Sequence, residues 1–412
     1  MDLEYTAEET AYQRKVLAFL DSIAERRAPG AVEGYRRDQT KPGALEVARV
    51  QQRQKFEGGF AGISWPREWS GCGGTAIEDA IYLLEEQHYA ISTGFFEVSL
   101  RMCIPTICTF GTPEQRNRYA APALRGDEIW CQLFSEPMAG SDLAALRTRA
   151  DKHGDDWVVN GQKIWTSGAQ FCDFGLLLAR TDPDVPKHRG LTMFIMRMDT
   201  PGLQIKPIKQ MSGSSTFNEV FFTDAHIADA QRVGAVGDGW KVAIGLLGRE
   251  RFSPIARKPD FPELLDFVRL VELENGPALE DDAVREKMAD WYVKSEGVRL
   301  TRLRTMTSLS RGRIAGPEAS IMKLADVTRL QEMVSYGLDL LGSAGTINES
   351  VEPLKNLFED AFFFSAAVRV AGGTDEIQRN IIAERVLGMP PDARVDKDVP
   401  FKNVPTGRSI GK

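Results

Sequence analysis

The amino-acid sequence predicts an α+β protein of several domains: an N-terminal helical domain, a small central β-sheet or barrel domain, and a C-terminal four-helix bundle. Three observations carry this. Apolar residues recur at helical spacing through the first third of the chain, the pattern changes to short β-rich runs near Trp130, and past Gly239 the helical period returns almost to the end. A chain of 412 residues also exceeds what one ordinary core accommodates. The expected boundaries are 1–128, 129–228 and 229–390, with 391–412 as an extended tail.

The first helix starts at Thr6, a capping threonine with acids close behind it, and its apolar stripe runs through Tyr12, Val16, Phe19 and Ile23. A Gly, Pro and Trp-rich turn over 62–74 separates it from a second helical stretch, Ile77 to Ala90, whose Glu85 and Glu86 read as a solvated face. In the β block, Trp157-Val-Val, Asn160-Gly161 and Gln162-Lys-Ile-Trp165 read as two runs joined by a tight hairpin, because Asn-Gly tolerates the dihedrals of such a turn. Further strands are expected at Gly175 to Ala179, Leu191 to Met198, Leu203 to Ile208 and Glu219 to Phe222. In the bundle, Val284, Met288, Trp291, Val298, Thr305 and Leu309 mark one helical stripe and Pro317 to Leu341 carries another. The polar, proline-bearing tail after Pro390 is expected to lie extended unless a partner subunit holds it.

Composition excludes several classes of function. Hydrophobic residues at 42% and charged residues at 26% suit a globular enzyme and not a disordered chain. A net charge of -7 repels a nucleic acid backbone, so no nucleic acid partner is expected. The longest uncharged apolar stretch, around Ala361 to Val368, falls far short of a membrane span. Five cysteines cannot all pair and form no CxxC, the four histidines are scattered, and MDLEYTAEET lacks a secretory pattern. These features predict no metal and a cytoplasmic setting. No GxGxxG follows an expected strand and no GxxxxGK[ST] occurs, so a nucleotide cofactor needs a different cradle.

That cradle is expected in Gln132-Leu-Phe-Ser135-Glu-Pro-Met-Ala-Gly-Ser141-Asp142, a turn that leaves backbone amides and two hydroxyls for a ligand. Taken alone it also reads as a capped loop. The second segment, Asn160-Gly-Gln-Lys-Ile-Trp165-Thr-Ser167-Gly168, places an aromatic plane two residues from a hydroxyl, a pairing suited to a flat heteroaromatic ring. Taken singly, Trp165 reads first as a core residue.

Together, at this separation, the two segments resemble the acyl-CoA dehydrogenase family. Gly372-Gly373-Thr374-Asp-Glu-Ile377-Gln378-Arg379-Asn380, continuing to Gly388, is similar to that family's C-terminal signature, and Gly237-Asp-Gly239-Trp240 to the stretch before its first C-terminal helix. The resemblance covers about residues 5 to 390. It implies the acyl-CoA dehydrogenase fold, FAD, and α,β-desaturation of an acyl-CoA thioester to its trans-2-enoyl-CoA. It also implies an electron-transferring flavoprotein as acceptor and a tetramer built as a dimer of dimers, either a homotetramer or a heterotetramer with a paralogue.

Residue by residue, the resemblance implies that Gln132, Phe134 and Ser135 line the flavin, with Trp165 over its ring system and Ser167 near its reactive nitrogen edge. Thr374 would also reach the cofactor. Ser141 would meet the acyl-CoA, and Arg251 matches a family arginine on the substrate side. The common Tyr-Glu-Gly-Thr glutamate is missing, because Ala371-Gly372-Gly373-Thr374 stands there. Other members carry the base on the first C-terminal helix, where Arg249-Glu250-Arg251 makes Glu250 the candidate. A carboxylate suits the chemistry, since a C–H beside a polarised thioester carbonyl is only weakly acidic. Glu250 also reads as a surface carboxylate paired with its neighbouring arginines.

Three further departures bear on the cofactor. Gly248 stands where an aspartate is common, Asp339 where a glutamine faces the flavin's pyrophosphate, and no Arg-x-x-Phe-Gly follows Arg257. The glycine-for-glutamate change resembles bacterial members acting on bulky or branched acyl groups, including steroid side chains. Two alternatives stand beside this reading: another flavin reaction on the same fold, such as nitroalkane oxidation or hydroxylation, and a non-catalytic subunit of a heteromeric enzyme.

Overall fold

A computed structural model describes residues 5–27, 41–92, 94–250, 259–311, 316–347, 353–393 and 396–404, without the side chains of 249, 250, 306, 309, 310 and 353. The first helices are α1 (Ala7–Ile23), α2 (Ala44–Glu57), α3 (Ala76–Glu86), α4 (Ile104–Phe110) and α5 (Pro113–Arg125). The strands β1 (Trp130–Leu133), β2 (Arg149–His153), β3 (Asp156–Ser167), β4 (Phe174–Arg180), β5 (Leu191–Arg197), β6 (Leu203–Ile208), β7 (Phe217–Ala228) and β8 (Arg232–Val233) follow. Then come α6 (Gly239–Glu250), α7 (Phe261–Val268), a small β9 (Glu272–Leu273) and β10 (Gly276–Pro277) pair, α8 (Asp282–Ser310), α9 (Ala319–Asp339), α10 (Pro353–Val370) and α11 (Asp375–Ile381).

Local chemistry starts several of the helices. Thr6, Thr75 and Thr112 each accept a hydrogen bond from the backbone N–H three residues on, while Glu9, Glu78 and Gln115 reach back to the threonine N–H. The element order does not match the spatial grouping. One compact unit gathers α1, α3 and the elements from α7 to α11, and another gathers α2, α4, α5, the sheet, α6 and the tail from Asp392.

In the helical unit, α1 packs on α3, α9 packs on α8 and α10, and α7 and α11 lie against α9. Of the expected stripe, Val284, Met288, Trp291 and Val298 are buried, Thr305 is half-buried and the Leu309 side chain lies outside the described residues; Phe267 stacks on Phe358 with ring centroids 4.6 Å apart. The buried Arg329 guanidinium on α9 ties the core together, donating to Asp326 at 2.8 Å, to Ser295 at 2.6 Å and to Asp260, which caps α7. Glu86 corrects the expectation of a solvated acidic face. It is buried and accepts from the Tyr82 hydroxyl at 3.0 Å, while Glu85 accepts from Gln13 at 2.6 Å.

In the other unit the strands run β6-β7-β3-β2-β4-β5-β8, with β1 added parallel to β4. β4 is buried along its whole length because both faces are covered. Phe174, Leu176 and Leu178 join a core with Ile104, Tyr119, Val242 and Leu246 of the covering helices, and Leu177 and Ala179 face a second core with Trp157, Val159 and Phe222.

The hairpin expected at Asn160-Gly161 is not there. β3 runs unbroken through both residues, and the turn lies at Gly154-Asp155, where His153 pairs with Asp156. Two distant contacts explain this. Asn160 is held by Asp224, giving Nδ2 to its carboxylate and accepting its N–H, both at 3.0 Å. A Cβ on Gly161 would lie 2.6 Å from Thr148 Oγ1, so glycine serves close approach between strands.

Of the tail after Pro390, expected to lie extended, residues 396–404 fold onto their own β unit. Phe401 N–H donates to Val185 at 2.9 Å and Lys402 N–H to Pro183 at 3.0 Å, beside a bridge from Pro186 to Pro400. Among the described residues, no helix is long and apolar enough to cross a membrane.

Candidate active site

Gln132 is half-buried on β1, and the chain leaves that strand through Phe134 and Ser135 into a turn closed by two reciprocal Glu136–Ala139 backbone bonds of 3.1 and 3.0 Å. Met138 is exposed at the tip, whereas Phe134 packs into the core. The turn holds its shape because Glu136 points inward. Its carboxylate accepts from Arg147 N–H at 2.6 Å, Thr148 N–H at 2.8 Å and Lys163 Nζ at 2.8 Å. Lys163, fully buried on β3, also donates to the Phe134 carbonyl at 2.9 Å.

Burial pulls Lys163 down to about 8, against the opposing pull of the Glu136 charge. Burial would raise Glu136, but the Lys163 charge and the hydrogen bonds outweigh it and hold the carboxyl below its ordinary value. The pair is therefore charged at neutral pH. Sequence reasoning missed it, although the alternation Trp157, Val159, Gly161, Lys163 places the lysine on the inward face of β3.

The same contacts bring the two expected cofactor segments together. Ile164 N–H donates to the Ser135 carbonyl at 2.9 Å, laying the turn beside the end of β3. There the pairing with β7 slips: Lys163 stands opposite Val220 but Thr166 opposite Asn218, leaving Ile164 and Trp165 against one residue. Trp165 takes the extra position at φ 60°, and its indole turns outward, 56% exposed, edge-on to Phe217 at 6.0 Å. A core role for Trp165 is thereby excluded. Left-handed backbone in a non-glycine residue costs about 1–2 kcal/mol, and such strain is concentrated at ligand sites.

Beside it, the Thr166 hydroxyl is buried with no hydrogen-bond partner, while Asn218 Nδ2 holds the Thr166 carbonyl at 3.1 Å. Ser167 follows half-buried. A strained, outward aromatic plane two residues from the half-buried Ser167 fits a flat heteroaromatic group such as a flavin.

Ser141 is exposed beyond the turn, next to Asp142, whose carboxylate is gripped by Lys187 Nζ at 2.9 and 2.8 Å. Thr374 belongs to the helical unit and caps α11, accepting from Ile377 N–H at 3.3 Å. Before it, Gly372 has φ 68° and its carbonyl accepts from Gln378 at 2.8 Å. A side chain at 372 would be strained on this backbone. Glu250 ends α6 with its side chain outside the described residues, and Arg251 lies outside them altogether. Asp339, at the end of α9, is exposed.

Three family models cover most of the chain: "Acyl-CoA dehydrogenase, N-terminal domain" over residues 6–127, "middle domain" over 131–225 and "C-terminal domain" over 237–387. Acyl-CoA dehydrogenase IpdE1 of Mycobacterium tuberculosis is 36% identical over 363 residues, 85% of this chain and 90% of that protein. The chain belongs to the acyl-CoA dehydrogenase family. It is thus an oxidoreductase. This acyl-CoA dehydrogenase is also 38% identical to acyl-CoA dehydrogenase FadE34 of the same organism, over 69% of this chain and 39% of that protein. Among solved structures, the Tcur3481-Tcur3483 steroid ACAD matches with a TM-score of 0.80 and 27% identity over 95% of this chain and 100% of that one. The ChsE4-ChsE5 complex from Mycobacterium tuberculosis matches with a TM-score of 0.77 and 26% identity over the same shares.

Proposed function

We propose that this acyl-CoA dehydrogenase binds FAD and desaturates an acyl-CoA thioester to the trans-2-enoyl-CoA, with a bulky or branched acyl group such as a steroid side chain. The observation that carries the reading is the Trp165 bulge, with its outward indole two residues from Ser167, hydrogen-bonded alongside the Gln132 to Ser135 segment. The similarity to a steroid ACAD supports the bulky acyl group.

When bound, FAD supplies the oxidant that accepts hydride from the β-carbon. Gln132, Phe134, Ser135, Trp165, Ser167 and Thr374 would hold and orient that cofactor, and the buried Glu136–Lys163 pair fixes the turn that follows Phe134 and Ser135. Ser141 and Arg251 bind the acyl-CoA. Glu250 removes the α-proton, and burial beside an acyl chain would raise its pKa and make it a stronger base. The electron acceptor would be an electron-transferring flavoprotein.

Glu250→Gln tests the base. The variant should retain the fold and the yellow colour, yet reduce its flavin with acyl-CoA about a hundredfold to ten-thousandfold more slowly; an unchanged rate removes Glu250 from the role. Protein that is colourless, alone or with its natural partner, and cannot be reconstituted with FAD defeats the flavin reading itself.

The assembly we assign is a tetramer, a dimer of dimers, in the cytoplasm; five cysteines, an odd number with no CxxC, suit a reducing setting. A second reading, a heterotetramer with a paralogue, is favoured by Asp339 in place of a glutamine and by similarity to the ChsE4-ChsE5 complex. Mass measurement with flavin counting separates the two: full flavin and turnover in a homotetramer exclude the mixed form.

A further inference from the structure

The segment that follows the Glu136 turn is held by two cations. Arg180, at the end of β4, donates from Nη2 to the Ala144 carbonyl at 2.6 Å, from Nε to Leu146 at 3.3 Å and from Nη1 to Lys187 at 2.9 Å. Lys187 takes both oxygens of Asp142. Both cations are covered by the chain's own tail. The Phe401 ring lies 3.6 Å from the Arg180 guanidinium carbon, a cation–π distance, and Asp396 reaches Lys187 Nζ at 2.6 Å. Three main-chain contacts fix the tail over the 183–186 turn, and Lys402 pairs with Asp184 at 2.5 Å.

The arrangement has a direction. Lys187 is only 10% exposed, and Asp142, its other partner, is 57% exposed. A surface carboxylate on a loop is ordinarily free to leave an ion pair. Here the cation is immobilised by a second carboxylate and shielded from water, so Asp142 meets a fixed charge. Phe401 likewise keeps water from Arg180 and so strengthens its bonds to the Ala144 and Leu146 carbonyls.

We infer that residues Asp396–Val404 form a strap that positions the Ser141–Leu146 segment through Lys187 and Arg180, and that the strap thereby sets the affinity for the CoA thioester. The second half rests on the reading of Ser141 as a substrate contact. Asp396, Phe401, Lys187 and Arg180 are positioning residues.

The test uses the full-length chain with Asp396→Ala and Phe401→Ala together. Hydrogen exchange is followed at Ala145 and Leu146, whose N–H groups close the turn onto Asp142 and Leu143. Exchange there should accelerate at least about tenfold with no change at the β4–β5 amides, and the charge-conserving Asp396→Glu should restore it in part. The dissociation constant for coenzyme A should rise severalfold, while the rate of flavin reduction at saturating thioester stays at the wild-type value. Unchanged exchange at Ala145 and Leu146 overturns the strap. Accelerated exchange with unchanged coenzyme A affinity upholds the strap and removes Ser141 from the binding site. Should the double variant fail to fold, Asp396→Asn, nearly isosteric, carries the same exchange measurement with the same deciding outcomes.

Discussion

Replacing Glu136 by glutamine tests whether the buried ion pair organises the cofactor turn. One carboxylate oxygen serves both Lys163 Nζ and Thr148 N–H, and the other serves Arg147 N–H. A glutamine of the same shape presents an acceptor on one side only. Its amide nitrogen must then face a donor, either the Arg147 N–H or the Lys163 ammonium and Thr148 N–H. One stranded backbone donor costs about 1–3 kcal/mol, and breaking a buried pair by removing one partner costs about 3–5 kcal/mol in all. In a unit of this size that is roughly 6–20 °C in melting temperature. The deficit also has a sign in pH. Lys163 already titrates at about 8 in the folded chain, below its unfolded value, and losing the partner charge lowers it further. The unfolded chain then binds more protons, so the variant gains stability relative to wild type as pH rises towards about 8. Calorimetric melts at several pH values, with flavin release followed by fluorescence, give the readout. A variant melting within about 2 °C of wild type at pH 7, with flavin retained, refutes the reasoning; the magnitude expected is several times larger.

Gly161→Ala should lower stability by about 1–3 kcal/mol, since its Cβ would press on the Thr148 backbone and hydroxyl; a melt identical to wild type would show that Thr148 yields freely. Trp165→Gly relieves the left-handed backbone and should leave stability unchanged or about 1 kcal/mol higher. The same variant should bind FAD about tenfold more weakly by equilibrium dialysis; undiminished FAD affinity would remove Trp165 from the site. Asp229 is held below the ordinary carboxylate range by Arg232, Trp157 and Lys152. Its contribution is present above the unfolded carboxylate value and lost as pH falls through the folded one. Asp229→Asn should therefore cost about 1 kcal/mol at pH 7, discounted for partial exposure, with the gap closing in strong acid; a gap that persists there would contradict the linkage.

The succession of helical, β and helical segments could be read from the residues alone, because periodicity and capping are local. The Thr6 box needs only Glu9, and Val284, Met288 and Trp291 share a helical face at any place in the fold. The two cofactor segments were also legible as residue types at a fixed separation. What brings them together was not. That depends on Lys163 meeting a carboxylate 27 positions earlier and on β7, some 60 residues beyond Asn160, setting the register that turns an Asn-Gly pair into mid-strand residues. The outward Trp165 follows from a one-residue slip in the same pairing. Alternation shows which residues face inward; it does not show which polar partner waits there, since a buried charge is tolerated only where distant segments supply its counter-charge and hydrogen bonds. The tail makes the same point. Its proline-bearing, polar composition describes a segment with no core of its own, and only the tertiary structure provides Arg180, Lys187 and the 183–186 turn as the surface on which it becomes ordered.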